Sequence, residues 1–592
     1  MKFNKISAAV ALGLSSITQT SIAVETNEPV IVTATRTAQT TDETLASVTV
    51  ITQEDIEKTG AKTLAEVLSG VQGINVTSNG AFGKVTSIFT RGTESDHTIL
   101  LIDGIKFRSA TSGAPSLQFI PVSQIERIEI VRGPRSSLYG SEAIGGVIQI
   151  FTKKGKKKNI IEAETGFGSY DSAKANIGTS GSAGAFDYAF NVGRFQTQGI
   201  DILQTSDPDK DGYKNNSFGF NAKYSPDSRF NISANILHAE GETEVDNDYY
   251  NNNSSEFTNQ VIGTTLSYSP TNNFSSKLLL GRGLDKNYGY GSNSPSITTT
   301  KYYQASWQND FYFEKNRVIS AGLDYQKDHV NSTTNYALQE RYNNGLYIQY
   351  LDKFGKTDLL AALRHDDNQQ FGEHTTGNLG FGFPITSSLR ITGSFGTAFK
   401  APTLNELYYP GGYGNPNLQP EESKSLEIGL SAKEGWGQWN ISSYTTKIKN
   451  LIADYPATNL DRTEIDGFEA NFVTSIYGWN TKFEMTLLDP KDKSSSKQLL
   501  KRPKRSFKLN VDKNFGKWDI GTNIITQSRR LDYYGDFMGG YTVVNLFGNY
   551  SLDKNWEIRG HLDNLFDKNY ETSDRYNTQD RSLFVTIAYK TK

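Results

Sequence analysis

The chain is 592 residues long, carries a formal net charge of −3 and contains no cysteine. This charge balance argues against a nucleic-acid partner, which calls for a concentrated basic face. Disulfides are excluded as a source of stability, so stability must come from a large core or a closed sheet.

The first segment, residues 1–23, has the features of a secretory signal peptide. Two lysines precede an apolar stretch at Ala8–Leu14, and small residues follow at Ser21-Ile22-Ala23. The apolar stretch is too short, and too often interrupted by Ser and Thr, to span a bilayer core of roughly 30 Å. We therefore predict export and cleavage after Ala23.

The next segment, residues 24–36, is rich in Val, Ile and Thr. Such a segment can pair as an added strand on the edge of another protein's sheet, or it can form the first strand of the domain that follows. Pro29 lacks an N–H, so one ladder bond is unavailable at that position. The residues concerned are Glu28, Pro29, Val30, Ile31, Val32, Thr33 and Ala34.

Residues 37–152 predict a small α+β domain. Thr52 with Asp55, and Thr63 with Glu66, have the spacing of a capping box, which marks two helix starts. Gly- and Ser-rich loops separate the short strands that we expect at Ser87–Phe89, Thr98–Ile102 and Ile125–Val131.

Residues 153–592 predict a transmembrane β-barrel. Apolar residues alternate with polar or small ones, as at Phe186, Tyr188 and Phe190, and again in the final stretch Leu583–Tyr589. A soluble β-sandwich shares part of this pattern, but a closed sheet is what lipid demands, because open edges leave backbone groups unsatisfied. Strands of roughly 10 residues with connections of similar length give about 22 strands over this stretch. A barrel that wide needs the preceding domain as a plug.

An acidic loop interrupts the barrel pattern at Asp207-Pro208-Asp209-Lys210-Asp211-Gly212. The D-x-D-x-D-G spacing places carboxylates around a hard cation, although a solvated turn has the same composition. The loop is not a complete EF-hand, because Phe218 stands where the twelfth-position Glu belongs.

Five stretches together resemble the TonB-dependent outer-membrane receptors. They are EPVIVTATR (Glu28–Arg36), IFTRGTESDHTILLIDGIKF (Ile88–Phe107), IERIEIVRGPRSSLYGSEAIGGVIQIFT (Ile125–Thr152), FKAPTLNELYYPGGYGNPNLQPEESKSLEIG (Phe399–Gly429) and NLFDKNYET (Asn564–Thr572). The resemblance implies a monomer in the bacterial outer membrane, in contact with lipid and lipopolysaccharide. It also implies that periplasmic TonB pulls on residues 28–34 and drives uptake without chemistry on the ligand, so we expect no catalytic residue.

Within that family, the chain is most similar to the cobalamin (vitamin B12) transporters. Overall size and the GSEAIGG and GIDILQTSDPDKDG segments carry this closer resemblance. It implies an extracellular calcium site that orders the ligand-binding loops, with ligands from Asp201, Asp209, Asp211 and Glu256 and from either Asp246 or Asp248. It also implies that the loops 78–84 and 107–115 bind the ligand, through Ser78, Asn79, Phe82, Lys84, Phe107, Arg108, Ser109 and Ser112. We expect Phe82 or Phe107 to pack on the corrinoid face.

A plug inside a polar lumen favours ion pairs with the barrel wall. We expect Arg91 and Arg132, and also Arg135, to pair with the barrel carboxylates Glu427 and Glu469.

Other functions stay open at this stage. Siderophore specificity lies in variable loops, so an iron-siderophore receptor is hard to exclude. Haem is disfavoured, because Thr403–Gly414 contains no histidine. A barrel enzyme needs a catalytic constellation, which we do not find, and a passive porin needs no TonB-binding segment.

Overall fold

The structure is a computed structural model, and it describes residues 30–204, 209–247, 250–290, 295–314, 317–453, 456–532 and 535–591. The predicted signal peptide, Glu28, Pro29 and Asp248 lie outside the described residues.

An N-terminal α+β domain, the plug, precedes the barrel. Thr52 caps the first helix with the predicted capping box, and the Thr63 side chain accepts from the Glu66 N–H to start the second. The elements are β1 (Val30–Ile31), β2 (Gln39–Thr40), β3 (Val48–Thr52), α1 (Gln53–Thr59), α2 (Leu64–Ser69), β4 (Ile74–Ser78), β5 (Thr86–Thr90), β6 (Thr98–Ile102), β7 (Ile105–Lys106), β8 (Ile125–Arg132), α3 (Ser136–Tyr139) and β9 (Gly146–Thr152), with 3₁₀ turns at Ser95–His97, Leu117–Phe119 and Val122–Gln124.

The plug is organised around a mixed sheet in the order β3-β8-β9-β6-β7, in which β6 and β9 run parallel. Leu68, Ile128 and Ile148 are fully buried in its core, which continues into the barrel wall at Leu237 and Tyr302. Plug and barrel therefore share one apolar core on this side.

The barrel strands follow from Ile160. They are β10 (Ile160–Gly168), β11 (Ser172–Ala183), β12 (Phe186–Thr197), β13 (Tyr213–Tyr224), β14 (Phe230–Asn247), β15 (Tyr250–Thr271), β16 (Phe274–Gly289), β17 (Ser296–Glu314), β18 (Arg317–Ser332), β19 (Glu340–Phe354), β20 (Thr357–Asn368), β21 (Gly372–Pro384), β22 (Leu389–Lys400), β23 (Glu421–Glu434), β24 (Gly437–Ala453), β25 (Thr458–Ile476), β26 (Trp479–Asp492), β27 (Arg505–Phe515), β28 (Trp518–Gln527), β31 (Tyr541–Ser551), β32 (Trp556–Asp563) and β33 (Ser582–Lys590). One connection carries the short pair β29 (Arg530–Leu531) and β30 (Phe537–Met538), and another carries helix α4 (Leu404–Tyr408).

Within the described residues, these strands form a closed antiparallel barrel of 22 strands, which confirms the predicted fold class. β33 closes the sheet against β10, with Ile587 opposite Thr165. Along β33, Leu583 and Ile587 are 52% and 44% exposed, whereas Phe584 and Thr586 are almost fully buried. The period-2 pattern thus separates a lipid face from a lumen face.

The two ends of the barrel differ in their connections. Tight turns such as Gly355-Lys356 join strands at one end, whereas the segments 198–212, 401–420 and 564–581 join them at the other. Outer-membrane barrels have short periplasmic turns and longer extracellular loops, which sets the orientation of the molecule.

No helix in the described part of the chain is long and apolar enough to cross a membrane.

The cost of burying a charge against lipid gives a test of the depth at which residues of the outer face lie in the membrane. Ile428 lies mid-strand in β23 with a 55% exposed side chain, and Glu422 points outward on the same face near the extracellular end. We expect Ile428→Lys to lower the free energy of unfolding in lipid vesicles by about 2–4 kcal/mol, and Glu422→Lys by about 0–1 kcal/mol. Equal losses in urea titrations would contradict this assignment of depth.

Candidate functional site

The segment after the predicted cleavage site is packed against the plug. The backbone N–H groups of Val32 and Thr33 each donate to the Glu129 carboxylate at 3.0 Å, and the Thr33 hydroxyl donates to it at 2.6 Å. Tyr139 donates to the Thr33 carbonyl at 3.0 Å. Ile31 is fully buried, so the segment is part of the plug in this state.

Arg36 ends this segment with an ion pair to the barrel wall. Its guanidinium donates twice to the Asp324 carboxylate, each time at 3.2 Å, and lies against the rings of Tyr139 and Tyr347. The sequence did not indicate Glu129, Arg36 or Asp324 as site residues. Their partners lie too far away along the chain to leave a local pattern.

Arg91 joins the plug to two barrel strands. Its guanidinium donates to Glu427 on β23 at 2.8 Å and 3.0 Å, and to Glu469 on β25 at 3.1 Å and 2.9 Å. The ring of Tyr444 lies 4.1 Å from its Cζ. Burial alone would lower the pKa of Arg91, but the two carboxylates raise it well above its ordinary value.

The other two plug arginines are arranged differently from Arg91. The Nε atom of Arg132 lies 3.5 Å from Glu469, while its Nη1 donates to Thr49 and to the Gln72 carbonyl. Arg135 donates to the Pro134 carbonyl at 2.8 Å. The structure thus brings Arg91, Arg132, Glu427 and Glu469 together, with Arg91 at the centre.

A second buried charge cluster joins the plug to the start of β23. Lys400 Nζ lies 2.8 Å from Asp96, 3.0 Å from Glu421 and 3.3 Å from Glu406. His97 Nε2 lies 2.7 Å from Glu421, and both side chains are almost fully buried. Lys400 and Glu421 belong to a stretch that carried the family resemblance, but no sequence pattern assigned them a role.

Three acidic side chains converge at the extracellular end of the barrel. Carboxylate oxygens of Asp201, Asp211 and Asp246 all lie within 4.8 Å of one another. Burial, together with the nearby carboxylates of Asp246 and Asp209, raises the pKa of Asp211 to about 7. Close carboxylates in a partly buried loop are costly without a cation to balance them.

Two other predicted calcium ligands, Asp209 and Glu256, lie outside this group of three carboxylates. Asp209 is near enough to influence Asp211, whereas Glu256 is exposed and accepts from the Tyr290 hydroxyl at 2.9 Å. Glu244, which the sequence did not single out, accepts from the Gly212 N–H at 2.6 Å beside the cluster.

Lys84 links the plug to this acidic loop. Its ammonium donates to the carbonyls of Asp211 and Gly212 at 3.2 Å each, and to the Thr243 hydroxyl at 3.0 Å. Burial lowers the pKa of Lys84 to about 8, against the pull of the nearby carboxylates. In this structure the three hydrogen bonds of the Lys84 ammonium go to this loop and to the end of β14.

The two aromatic rings that we expected on the ligand-binding surface of the plug loops are buried. Phe82 packs 5.1 Å from Phe195, and Phe107 lies 6.5 Å from Tyr302, measured between ring centroids. Both are almost fully buried. Phe107 belongs to the core shared by plug and barrel, and Phe82 belongs to a separate apolar cluster with Tyr213 and Phe257. Val85 directly follows the loop 78–84 and is 60% exposed, although the sequence did not indicate it as a ligand contact.

The other predicted ligand residues are distributed between surface and interior. Ser78 exchanges two hydrogen bonds with Thr572, each of 3.0 Å, and Asn79 is half-buried beside it. Ser112 is exposed, and Ser109 lies 2.8 Å from the Thr111 hydroxyl. The Arg108 guanidinium pairs with Glu142 and Asp328 within the protein.

Two family models match the chain. The model described as "TonB dependent receptor-like, beta-barrel" matches residues 162–565, and that of the "TonB-dependent Receptor Plug Domain" matches residues 40–147. The chain belongs to the TonB-dependent receptors. Membership places this receptor in the outer membrane and makes it a transporter rather than an enzyme.

Full-length relatives and solved structures are also similar to this receptor. It is 33% identical to the vitamin B12 transporter BtuB of Photobacterium profundum, over 95% of this chain and 96% of the relative. It is 31% identical to BtuB of Vibrio vulnificus, over 96% of each chain.

Among structures, the siderophore receptor PirA from Acinetobacter baumannii has a TM-score of 0.80 at 19% identity, covering 92% of this chain and 98% of that one. A mutant of the ferric enterobactin receptor PfeA from Pseudomonas aeruginosa has a TM-score of 0.82 at 17% identity, covering 95% and 100%. Likeness at these identities shows the fold alone.

The Arg91 cluster gives a test of how the plug is held. Replacing Arg91 with Met leaves Glu427 and Glu469 buried without their main cation, so we expect a loss of about 3–5 kcal/mol in plug docking. Urea titration of purified receptor, with protease digestion of the plug as readout, measures the loss.

The matched control is the triple variant Arg91→Met, Glu427→Gln, Glu469→Gln, which removes Arg91 and its two carboxylates together and should recover part of the stability. A single Arg91→Met variant as stable as the parent would contradict the role of this cluster.

Proposed function

We propose that this receptor carries cobalamin across the outer membrane, with TonB supplying the work. The observation that carries this proposal is the similarity to vitamin B12 transporters over nearly the whole length of both chains. The match to the first of these relatives spans 95% of this chain and 96% of the relative.

The chemical groups on the extracellular surface of the plug are suited to a neutral, polar ligand. Ser78, Asn79 and Ser112 offer amide, hydroxyl and backbone groups there, and Val85 adds an exposed apolar contact. A corrinoid ring carries many amide side chains, which such groups bind by hydrogen bonds. Arg108 is already paired with two carboxylates, so it is not available for an anionic ligand.

A ferric siderophore is the second candidate, because receptors for siderophores share this fold. Equilibrium binding of labelled cyanocobalamin to purified receptor, with a ferric siderophore as competitor, separates the two. We expect saturable cobalamin binding that the siderophore does not displace. Displacement, or no cobalamin binding, would reject the proposed ligand.

Calcium fits the acidic cluster at the extracellular loops. Asp201, Asp211 and Asp246 offer oxygen ligands at close range, with Asp209 and Glu244 beside them. Ca²⁺ takes roughly 6–8 oxygen ligands. Bound calcium would neutralise the cluster and hold together the loop 198–212 and the end of β14. Ordering these loops beforehand reduces the entropy lost when a bulky ligand binds.

Removing one carboxylate of the acidic cluster should weaken calcium binding, and the loss of calcium should in turn weaken cobalamin binding. We expect chelation with EDTA to weaken cobalamin binding to the parent by roughly tenfold, about 1.4 kcal/mol, since the ligand must then order the loops itself. The Asp211→Asn variant should bind cobalamin weakly whether or not EDTA is present. Isothermal titration with calcium and cyanocobalamin measures both affinities.

The control is Glu242→Gln, an exposed carboxylate on β14 that pairs with Lys214 at 3.6 Å. It should keep the parent's calcium dependence. A parent whose cobalamin affinity is the same with EDTA would rule out a calcium requirement for binding.

Coupling to TonB requires the segment around Val32 to leave the plug. Pairing with the edge of another sheet uses backbone N–H groups, and those of Val32 and Thr33 are held by Glu129. Glu129 is fully buried and also pairs with Arg127 at 3.0 Å. Glu129 and an added TonB strand therefore compete for the same two backbone N–H groups of the segment.

Changing Glu129 alters this competition without touching the segment itself. We expect Glu129→Gln to weaken the charge-assisted bonds to Val32 and Thr33 by about 1–3 kcal/mol and so to strengthen binding of the purified TonB C-terminal domain. Cobalamin affinity should not change. Fluorescence anisotropy with labelled TonB domain measures the effect.

The complementary variant is Val32→Pro, which removes one N–H from the segment and should abolish uptake while leaving cobalamin binding intact. Loss of cobalamin binding in Val32→Pro, or unchanged TonB affinity in Glu129→Gln, would count against this coupling.

A further inference from the structure

A patch of basic side chains covers part of the outer face of the barrel near its extracellular end. These side chains point away from the lumen, because the residues that alternate with them, such as Asp285, Tyr302 and Val330, are buried inside. The members of this basic patch are Arg282 and Lys286 on β16, Lys301 on β17, and Lys327 and His329 on β18.

The register of the three strands brings the members of the basic patch together. Lys301 is directly opposite His329. The diagonal neighbours of Lys301 are Arg282, Lys286 and Lys327. Directly opposite side chains have Cβ atoms about 5 Å apart, and diagonal neighbours lie about 7–8 Å apart. Like charges at these distances repel one another, so the basic patch favours a bound anion.

Carboxylates balance only part of this positive charge. Glu340 on β19 lies 2.9 Å from Lys327 and 3.1 Å from His329. Glu256 on β15 accepts from a tyrosine hydroxyl at 2.9 Å, and Glu240 on β14 lies two strands away from β16. In the part of the chain that the structure describes, the other three members of the basic patch form no ion pair. The basic patch therefore keeps a net positive charge.

The basic patch begins where the apolar outer face of the barrel ends. Each of the three strands carries an exposed apolar side chain below the patch, namely Leu280, Trp307 and Leu323. On β17 and β18, the exposed rings of Tyr303 and Tyr325 come next toward the extracellular end, and the basic residues follow them. Tyrosine and tryptophan rings mark the membrane interface of such barrels. The basic patch therefore lies at the level of the lipid headgroups of the outer leaflet.

We propose that the basic patch binds the phosphate groups of lipid A, the phosphorylated glycolipid that anchors lipopolysaccharide in the outer leaflet. Arginine and lysine bind phosphate through charge-assisted hydrogen bonds, and the grouping of several such side chains suits a headgroup with two phosphates. Tyr303 lies between Arg282 and Lys327 and presents an amphipathic ring to the sugars. A glycerophospholipid with one phosphate would occupy only part of the basic patch. The proposal gives a location to the lipopolysaccharide contact that the family resemblance implies, and it does not depend on cobalamin.

Neutralising three members of the basic patch tests the proposal. The triple variant Arg282→Gln, Lys286→Gln, Lys301→Gln removes surface charges that have no ion pair within the described chain, so the fold should be unaffected. Purified, lipid-free receptor in a neutral detergent is titrated with fluorescent lipid A that carries both phosphates. EDTA is present, so that no divalent cation bridges phosphate to a carboxylate. We expect the triple variant to bind this lipid A at least tenfold more weakly than the parent.

The matched control removes three positive charges from the other end of the barrel. It is the triple variant Lys223→Gln, Lys356→Gln, Lys554→Gln, which changes exposed lysines at the periplasmic turns. Its affinity for lipid A should stay within twofold of the parent. A second variant, Lys286→Arg with Lys301→Arg, keeps the charges and should also bind within twofold of the parent or more tightly, since guanidinium groups bind phosphate at least as well. All variants are compared at equal amounts of heat-modifiable, folded barrel.

Phosphatidylglycerol, which carries a single phosphate, separates lipid A from anionic lipids in general. We expect the parent to bind lipid A with two phosphates at least fivefold more tightly than phosphatidylglycerol. Equal affinity for the two lipids would overturn the assignment to lipid A. The proposal would also fail if the parent bound no lipid A, if the patch variant bound it as tightly as the parent, or if the periplasmic control lost as much affinity. Cobalamin takes no part in this titration, so its outcome is independent of the proposed transport function.

Discussion

Closure of the sheet is the constraint on which the rest of this receptor depends. Lipid cannot satisfy open strand edges, so β33 must pair with β10, and 22 strands enclose a lumen too wide to fill with barrel side chains. The plug fills that lumen and shares an apolar core with the wall. Transport therefore depends on which contacts between the plug and the barrel wall break.

The plug contacts differ in kind around the wall. Buried arginine and lysine clusters hold one side, at strands β22 to β25. On the other side, separate ion pairs join α1 and the residues after it to β27 and β32, namely Lys58–Asp512, Glu57–Arg559 and Lys62–Asp563. Glu129 holds the segment that we propose TonB binds, and it lies on β8, whose last residue, Arg132, lies 3.5 Å from Glu469 of the Arg91 cluster. A pull on that segment therefore acts on a sheet that is anchored to the wall.

The sequence predicted those features that follow from local periodicity and spacing. Alternation along Leu583–Tyr589 indicated the lipid face, Thr52 and Thr63 marked the helix starts, and strand length led to the strand number. It did not predict that Phe82 and Phe107 would be buried, because an exposed loop and a buried one have the same glycine-rich composition. Arg36 meets Asp324, and Lys400 meets Asp96, only when the plug sits inside the barrel, whereas Glu129 meets Val32 and Thr33 through the fold of the plug itself.

TonB-driven displacement of the plug is what we propose carries cobalamin inward. Accumulation of radiolabelled cyanocobalamin tests this most directly, in cells whose own B12 receptor has been deleted and replaced by this chain, with and without TonB. We predict accumulation above the external concentration only when TonB is present. Accumulation that is equal without TonB, or absent in its presence with folded receptor in the membrane, would contradict the proposal.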